Sequence, residues 1–272
     1  MAIRRISAEE TPLIPYLKRV LQYKSLIGSL AKRDIRAQYA QTLLGILWSA
    51  LQPLAGLLVF TIFFDKLIQV EIPNKVPYPL FAFSGMISWY YFTFLIAHGG
   101  TALINSQSLI KKVYFPKLIL PISKVVVGLL ELGISMILLA IMMLYLGRMP
   151  SPQIIFLPLF IILNIITGLA VAIWLSALTV RYRDFQHLIP YLINFGIWLT
   201  PVFYPSTLFP PDMKYLIYLN PMAGVIEGFR WTLLGGEAPS IYYIFSFTFT
   251  IFVLGTGLFY FRRIEKSIAD YV

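Results

Sequence analysis

Few residues in this sequence are suited to catalysis. There is no cysteine, and the two histidines, His98 and His187, lie far apart without a neighbouring metal-ligand pattern. Asp34, Glu131 and Asp184 are too widely spaced to suggest a carboxylate cluster for a divalent cation. The phosphate-binding pattern Gly-x-x-x-x-Gly-Lys-Ser/Thr is also missing. The sequence therefore predicts no catalytic residue, no metal site and no bound cofactor, and it excludes thiol chemistry.

Long apolar segments dominate the chain. Of its 272 residues, 58% are hydrophobic and 12% are charged, and the mean hydropathy is +0.77. A helix needs about 20 apolar residues to cross a bilayer. Five segments meet that length: 43–64, 80–104, 125–146, 154–180 and 241–261. A sixth, 188–204, is shorter and is extended only by continuing into Tyr204. We expect an all-α membrane protein with six transmembrane helices in one domain, residues 1–272.

The basic residues predict how the chain crosses the membrane. The net charge is +10, and most of the 22 Lys and Arg residues lie in four segments: 1–42, 105–124, 181–187 and 262–272. Because Lys and Arg accumulate in short cytoplasmic loops, six spans with both termini in the cytoplasm fit this distribution. The charge also favours contact with anionic membrane lipids, and it does not require nucleic acid as a partner.

The segment before the first span has the pattern of an amphipathic helix. Apolar side chains recur at near-helical spacing over 11–30, with basic residues among them. They include Leu13, Leu17, Lys18, Arg19 and Leu21. Thr11 and Pro12 suit the start of this helix as its cap and first residue. Such a helix lies on the membrane surface, either as a passive anchor or as a moving element beside a channel entrance.

A compact loop between the second and third spans, 105–124, combines aromatic, proline and lysine residues. Its central residues are Leu109, Ile110, Lys111, Lys112, Val113, Tyr114, Phe115 and Pro116. The bias of positive charge to the cytoplasm explains the lysines, but it does not explain the pairing of Tyr114 and Phe115 with proline. Aromatic anchors with a charged rim are typical of protein interfaces. The loop is therefore predicted to dock a soluble partner.

Prolines break the segment 205–236. Two apolar pieces, 215–219 and 222–234, are too short to cross a bilayer, so they predict a re-entrant or interfacial helical hairpin with both ends on one side. Glu227 and Arg230 are three residues apart and can pair on one helix face. Gly224 and Gly228 form a patch of small residues that permits close helix contact.

Two features inside the spans stay open. Glu131 is the only acidic residue within a clear span, where a charge is costly. It could line a wet cavity or pair with a buried cation, or it could form a structural hydrogen bond to a neighbouring helix. An aromatic cluster fits either an interfacial belt or a pore in which sugar rings stack on aromatic side chains: Trp89, Tyr90, Tyr91 and Phe92.

Several motifs, taken in order, resemble the type-2 ABC exporter permeases of the polysaccharide and polyol-phosphate branch. The run that begins Arg33-Asp34-Ile35-Arg36 and continues to Pro53-Leu54 is similar to the approach to that family's first span. Segment 109–116 is similar to the family's coupling segment. The other matching motifs are 180–184, 200–205, 219–222 and 227–230. Together they extend over most of the chain at familiar spacing.

The resemblance implies the permease subunit of an ABC transporter. Such a subunit forms a homodimer with a continuous channel at the subunit interface, driven by two copies of a separate ABC ATPase subunit that binds ATP and Mg. It implies that 11–30 is a cytoplasmic gate helix and that 107–116 transmits the stroke of the ATPase. The implied periplasmic gate is 205–236, with these residues: Pro205, Asn220, Pro221, Glu227 and Arg230.

The cargo that the resemblance implies is an undecaprenyl-linked O-antigen, exported across a bacterial inner membrane. Exporters of capsule and of teichoic acid share the same pattern. A small-molecule exporter of the same superfamily would differ only in its cargo. A membrane-embedded polyprenol-phosphate sugar transferase is the alternative from another class, and it would need acidic clusters for a divalent cation.

Overall fold

A computed structural model describes residues 12–40, 42–210, 213–236, 238–266 and 268 of the chain. Thr11, the expected cap of the first helix, lies outside them. The described residues form helices joined by short loops and turns, which confirms the predicted all-α class. In chain order the helices are α1 Leu13–Gln22, α2 Lys24–Tyr39, α3 Gly45–Leu67, α4 Tyr78–Gly99, α5 Gln107–Lys112, α6 Ile119–Tyr145, α7 Pro152–Arg181, α8 Phe185–Leu199, α9 Lys214–Tyr218, α10 Pro221–Leu234 and α11 Tyr243–Glu265.

Five helices in the described part of the chain are long and apolar enough to cross a membrane: α3, α4, α6, α7 and α11. They coincide with the five long segments predicted from the sequence, with their ends shifted by a few residues. The sixth predicted span stays a prediction, because α8 has only 15 residues. At 1.5 Å per residue it rises about 22 Å, less than the roughly 30 Å of a hydrocarbon core.

Helix α8 ends at Leu199 because a proline follows closely. The residue before a proline is disfavoured in the helical conformation, and Thr200, which precedes Pro201, is extended with φ −111° and ψ 137°. The chain then turns towards the hairpin of α9 and α10.

Helix α4 is the centre of the bundle. In the most apolar 18-residue stretch of α4, 89% of the residues are buried. The same measure is 11% for α3 and 28% for α11. Small residues let the neighbouring helices approach it closely. A Cβ atom at Gly168 of α7 would lie 2.6 Å from Leu95 Cδ1, and one at Gly128 of α6 would lie 2.8 Å from Phe94 Cδ1. A larger residue at either position would therefore displace the side chain of α4 that packs there.

The amino-terminal segment forms two helices, so the single helix predicted over 11–30 is wrong. The break falls at Tyr23, between α1 and α2. Helix α1 buries Tyr16 and Val20 among side chains from α5, α7 and α11, whereas α2 runs along α6. Tyr23 forms the turn between the two helices, with φ −90° and ψ 24°.

An ion pair fixes α2 against α6. Lys124 Nζ lies 2.5 Å from Asp34 Oδ2, and both side chains are only 16% exposed. Arg33 also donates to Asp34 Oδ1, at 2.8 Å. Burial raises the pKa of the Asp34 carboxyl group, but the hydrogen bonds and charges of Lys124 and Arg33 outweigh burial and leave the pKa below its ordinary value.

We expect Asp34→Asn to lower the free energy of unfolding at pH 7 by about 1–3 kcal/mol, between the ranges for exposed and buried pairs. Because the folded-state pKa of Asp34 is lowered, this stabilisation is present above the unfolded-state pKa of about 3.9 and disappears as the pH falls through the folded-state value. Thermal unfolding in detergent, followed over that pH range, measures it. The exposed Asp184→Asn is the control, and equal behaviour of the two variants would contradict the assignment.

Candidate functional site

The predicted coupling loop presents one exposed edge. Helix α5 ends at Lys112, and the chain continues in an extended conformation at Val113. Tyr114 is 69% exposed and Val113 is 48% exposed, and Lys111 and Lys112 are exposed beside them. These four residues form what we call the α5 edge, an aromatic ring among lysines at the surface of the bundle.

Phe115 does not belong to the α5 edge. Its side chain is 2% exposed and packs with Tyr16, Phe261 and other residues of one buried cluster. The prediction that both aromatic residues face a partner is therefore wrong for Phe115. Tyr114 and Phe115 are adjacent in sequence, but Tyr114 lies at the surface whereas Phe115 fills the interior. Leu109 and Ile110 also pack on this cluster, and Pro116 is buried.

One carboxylate joins the coupling loop to α1 and α11. Glu265, at the end of α11, accepts a 2.6 Å hydrogen bond from the Tyr16 hydroxyl group and another, also 2.6 Å, from the main-chain N–H of Lys117. Burial, and next the Glu265 charge, raise the pKa of the Tyr16 hydroxyl group, which keeps it a donor. We call this contact of α1, α11 and the coupling loop the Glu265 junction.

Sequence reasoning missed Glu265, although the sequence carries a signal for it. A carboxylate at the carboxyl end of a helix opposes the helix dipole, so it needs compensating donors. Glu265 closes an apolar helix and follows two arginines. Its partners lie 249 and 148 residues away in sequence, which the sequence alone could not identify.

The predicted gate helix is held by one face only. Tyr16 and Val20 of α1 are buried, and Leu17 packs at the edge of the same cluster. The remaining assigned residues lie at the surface: Leu13, Lys18, Arg19 and Leu21. Leu21 is 70% exposed. An apolar edge beside basic residues is typical of a helix at a membrane surface.

The second helix of the hairpin, α10, is capped. The Asn220 side chain accepts a 3.0 Å hydrogen bond from the Met222 N–H, and Pro221 occupies the first position of α10. Asn220 Nδ2 also donates to Thr200 Oγ1 at 2.8 Å. Pro205 is buried in the connecting segment. The close helix contact predicted at the glycines is confirmed, since a Cβ atom at Gly228 would lie 1.8 Å from Phe160 Cε1.

Arg230 and Glu227 do not pair with each other, so that prediction is wrong. Arg230 is 7% exposed and donates to three main-chain carbonyl groups, those of Pro201 at 2.6 Å, Phe81 at 3.3 Å and Val202. Its guanidinium carbon lies 3.7 Å from the centre of the Phe81 ring. Glu227 accepts from the Tyr218 hydroxyl group instead. A guanidinium group has five donors, and the turn after α8 presents carbonyl groups that need them.

The predicted channel aromatics lie on the central helix. Trp89, Tyr91 and Phe92 are 4%, 3% and 7% exposed, and Tyr90 is half-buried. Trp89 and Phe92 pack on each other with ring centres 5.4 Å apart. Both rings are buried because neighbouring helices enclose most of α4. These two rings therefore cannot line a channel at the surface of the chain.

A different aromatic stripe is exposed on α8. Tyr191, Phe195 and Trp198 are 62%, 67% and 53% exposed. They are spaced four and three residues apart, which places them on one helix face. This spacing could have been recognised in the sequence, since the helical period is visible there.

The long apolar helices, the short helix α8 and the hairpin define a multi-pass membrane protein. The chain belongs to the ABC-2 type transporter family, whose sequence profile it matches over residues 25–234, and this confirms the resemblance seen in the motifs. Relatives include the O-antigen export system permease protein RfbA of Myxococcus xanthus, 30% identical over 80% of this chain and 84% of the relative. A protein of the same name from Klebsiella pneumoniae is 28% identical over 90% of this chain and 94% of the relative. The polysialic acid transport protein KpsM of Escherichia coli is 24% identical over 87% of this chain and 93% of the relative.

We expect Glu265→Gln to weaken the Glu265 junction by about 1–2 kcal/mol for each hydrogen bond that loses its charged acceptor. Hydrogen–deuterium exchange should then speed up in both α1 and residues 113–118. The neighbouring Arg263→Gln, at an exposed position, is the matched control. Unchanged exchange in both segments of Glu265→Gln would contradict the junction.

Arg230→Lys should lower the stability of the protein by about 2–4 kcal/mol, because lysine keeps the charge but cannot serve three carbonyl groups in fixed directions. Thermal unfolding in detergent, monitored by tryptophan fluorescence, gives the difference. Arg148→Lys is the control, since exposed Arg148 also donates to a carbonyl group, that of Lys75, at 3.0 Å. The two substitutions should differ clearly, and equal small losses would refute the role of Arg230.

Proposed function

We propose that this protein is the membrane-spanning subunit of an ABC transporter that exports a lipid-linked polysaccharide, an O-antigen, across the bacterial inner membrane. The observation that carries the proposal is the similarity, over at least 80% of the chain, to O-antigen export permeases from two organisms. Membership of a family of transport subunits favours this function over a membrane-embedded sugar transferase.

The motor of this transporter is a separate subunit. The sequence contains no Gly-x-x-x-x-Gly-Lys-Ser/Thr loop, and in this proposal two copies of an ABC ATPase bind ATP and Mg and dock on the permease. The α5 edge suits that contact, because Tyr114 offers an exposed anchor and the lysines form a charged rim. Through the Glu265 junction, movement of the α5 edge would reach α1, the proposed cytoplasmic gate.

A second copy of the chain completes the channel. Only 11% of the residues in the most apolar stretch of α3 are buried within the chain. Helix α8 exposes Tyr191, Phe195 and Trp198 along one face. A helix as short as α8 cannot bridge the lipid alone, which favours a position against protein or a water-filled path. Aromatic faces lining such a path would let the apolar sides of sugar rings slide past without fixed hydrogen bonds.

The ends of the bundle suit two gates. The distribution of positive charge favours a cytoplasmic position for both termini, α1 and the α5 edge. The hairpin of α9 and α10 then lies on the periplasmic side, where Arg230 and Asn220 hold it to the end of α8.

Export of a capsular polysaccharide is the second candidate. The similarity to the polysialic acid transport protein of Escherichia coli covers 87% of the chain at 24% identity. Teichoic acid is a further cargo with the same lipid-linked design.

We expect the wild-type gene to restore long-chain surface polysaccharide in a strain that lacks it, and the protein to purify together with an ABC ATPase subunit. Tyr114→Ala should still insert and dimerise but bind the ATPase subunit about tenfold more weakly, the loss typical of a moderate interface anchor. Binding to the permease in nanodiscs and surface polysaccharide are the two measurements.

Tyr145→Ala is the matched control. Tyr145 is 89% exposed and ends α6, at the opposite end of that helix from the coupling loop. Full activity of Tyr114→Ala would remove the docking role of the α5 edge but leave the transport function standing. A wild-type protein that neither restores the polysaccharide nor binds an ATPase subunit would refute the proposed function.

A further inference from the structure

A cavity of about 420 Å³ lies between α2, α3, α4 and α6, beneath the break that separates α2 from α3. Helix α4 contributes several lining residues, and Glu131 of α6, Tyr39 of α2 and Trp48 of α3 line the same cavity. Gln38, from the end of α2, donates a hydrogen bond to Glu131 Oε1. Small-molecule sites in proteins have volumes of roughly 300–1,000 Å³, so the volume of this cavity lies in their range.

The walls combine aromatic faces with neutral hydrogen-bonding groups. Trp48 is 53% exposed and Tyr90 is half-buried. No hydrogen bond within the described part of the chain engages the Tyr90 hydroxyl group, and it lies close to α3, 2.7 Å from where a Cβ atom at Gly56 would be. Gln52 and His98 add an amide and an imidazole to the lining.

Glu131 explains why the cavity is polar. A carboxylate within a membrane span is costly and marks a functional position by default. Gln38 satisfies Oε1, and Oε2 is left to accept further hydrogen bonds. A carboxylate acceptor makes charge-assisted hydrogen bonds, which are about twice as strong as neutral ones.

The lining selects among ligands. It contains no lysine or arginine, and Glu131 would repel a phosphate or diphosphate group. An organic cation could use the carboxylate and the rings, but it would leave the amide and hydroxyl groups of the lining unused. An uncharged sugar matches both the polar groups and the aromatic rings of the lining. Its hydroxyl groups can hydrogen-bond the polar groups, and its apolar face can pack on the rings.

We propose that this cavity binds an uncharged sugar unit of the exported glycan. The proposal rests on the proposed function and assigns a saccharide subsite to the cytoplasmic half of the permease. Glu131 and Tyr90 hydrogen-bond the sugar hydroxyl groups, and Trp48 stacks on the ring. This assignment gives Glu131 a role in binding, which the sequence had left open between a wet cavity and a structural contact.

Saturation-transfer NMR tests the subsite directly. The permease–ATPase complex in nanodiscs is titrated with the methyl glycosides of glucose, galactose, mannose, rhamnose and N-acetylglucosamine. At least one glycoside should bind saturably to the wild type. Glu131→Gln and Tyr90→Phe, which keep the shape of each side chain, should weaken binding by about tenfold and severalfold, respectively. Tyr145→Phe, far from the cavity, should bind as the wild type does.

Two results would overturn the subsite: no saturable binding of any glycoside, or equal binding by the wild type, Glu131→Gln and Tyr90→Phe. Tighter binding of tetraphenylphosphonium than of every glycoside, lost in Glu131→Gln, would assign the cavity to organic cations and overturn it as well. Restoration of surface polysaccharide by the wild type is scored separately. Export without glycoside binding refutes the subsite alone, whereas failure of export refutes the proposed function.

Discussion

Three main-chain carbonyl groups, those of Phe81, Pro201 and Val202, accept hydrogen bonds from the single guanidinium group of Arg230. Away from water an unpaired main-chain polar group costs several kcal/mol in hydrocarbon. A chain in a membrane can therefore leave the helical conformation only where other groups satisfy its backbone. Arg230 supplies donors to Pro201 and Val202 at the break after α8, and so permits a short α8, the turn at Pro201 and the hairpin that follows. Its third hydrogen bond, to Phe81, ties this break to α4.

The opposite end of the bundle depends on a second charged group. Between apolar helices in lipid there is no hydrophobic driving force comparable to that in water, so polar contacts decide which elements move together. The Glu265 carboxylate holds α1, the exit of the coupling loop and the end of α11 at one point. A force applied at the exposed α5 edge would thus reach α1 through two hydrogen bonds and the buried Phe115.

The aromatic residues divide into two groups with different physical roles. Those on α4 pack inside the chain and hold the central helix among its neighbours. Those on α8, with Trp48 on α3, remain exposed, and they are available to a second copy, to lipid or to a passing glycan. The cavity beside Glu131 lies between these groups, where Tyr90 contributes a ring from the central helix and Trp48 contributes one from the surface.

The sequence by itself determined the five long helices, the broken hairpin and the motifs of the family, because length, apolar composition and proline act locally along the chain. It could not determine that α1 and α2 are separate helices, that Tyr114 faces outward while Phe115 is buried, or that Trp89 and Phe92 lie inside the bundle. Nor could it pair Arg230 with the carbonyl groups of Phe81, Pro201 and Val202, or Glu265 with Tyr16. These contacts join residues between 28 and 249 positions apart, and the tertiary structure alone decides them, because only packing fixes which backbone groups lack partners and which side chains can reach them.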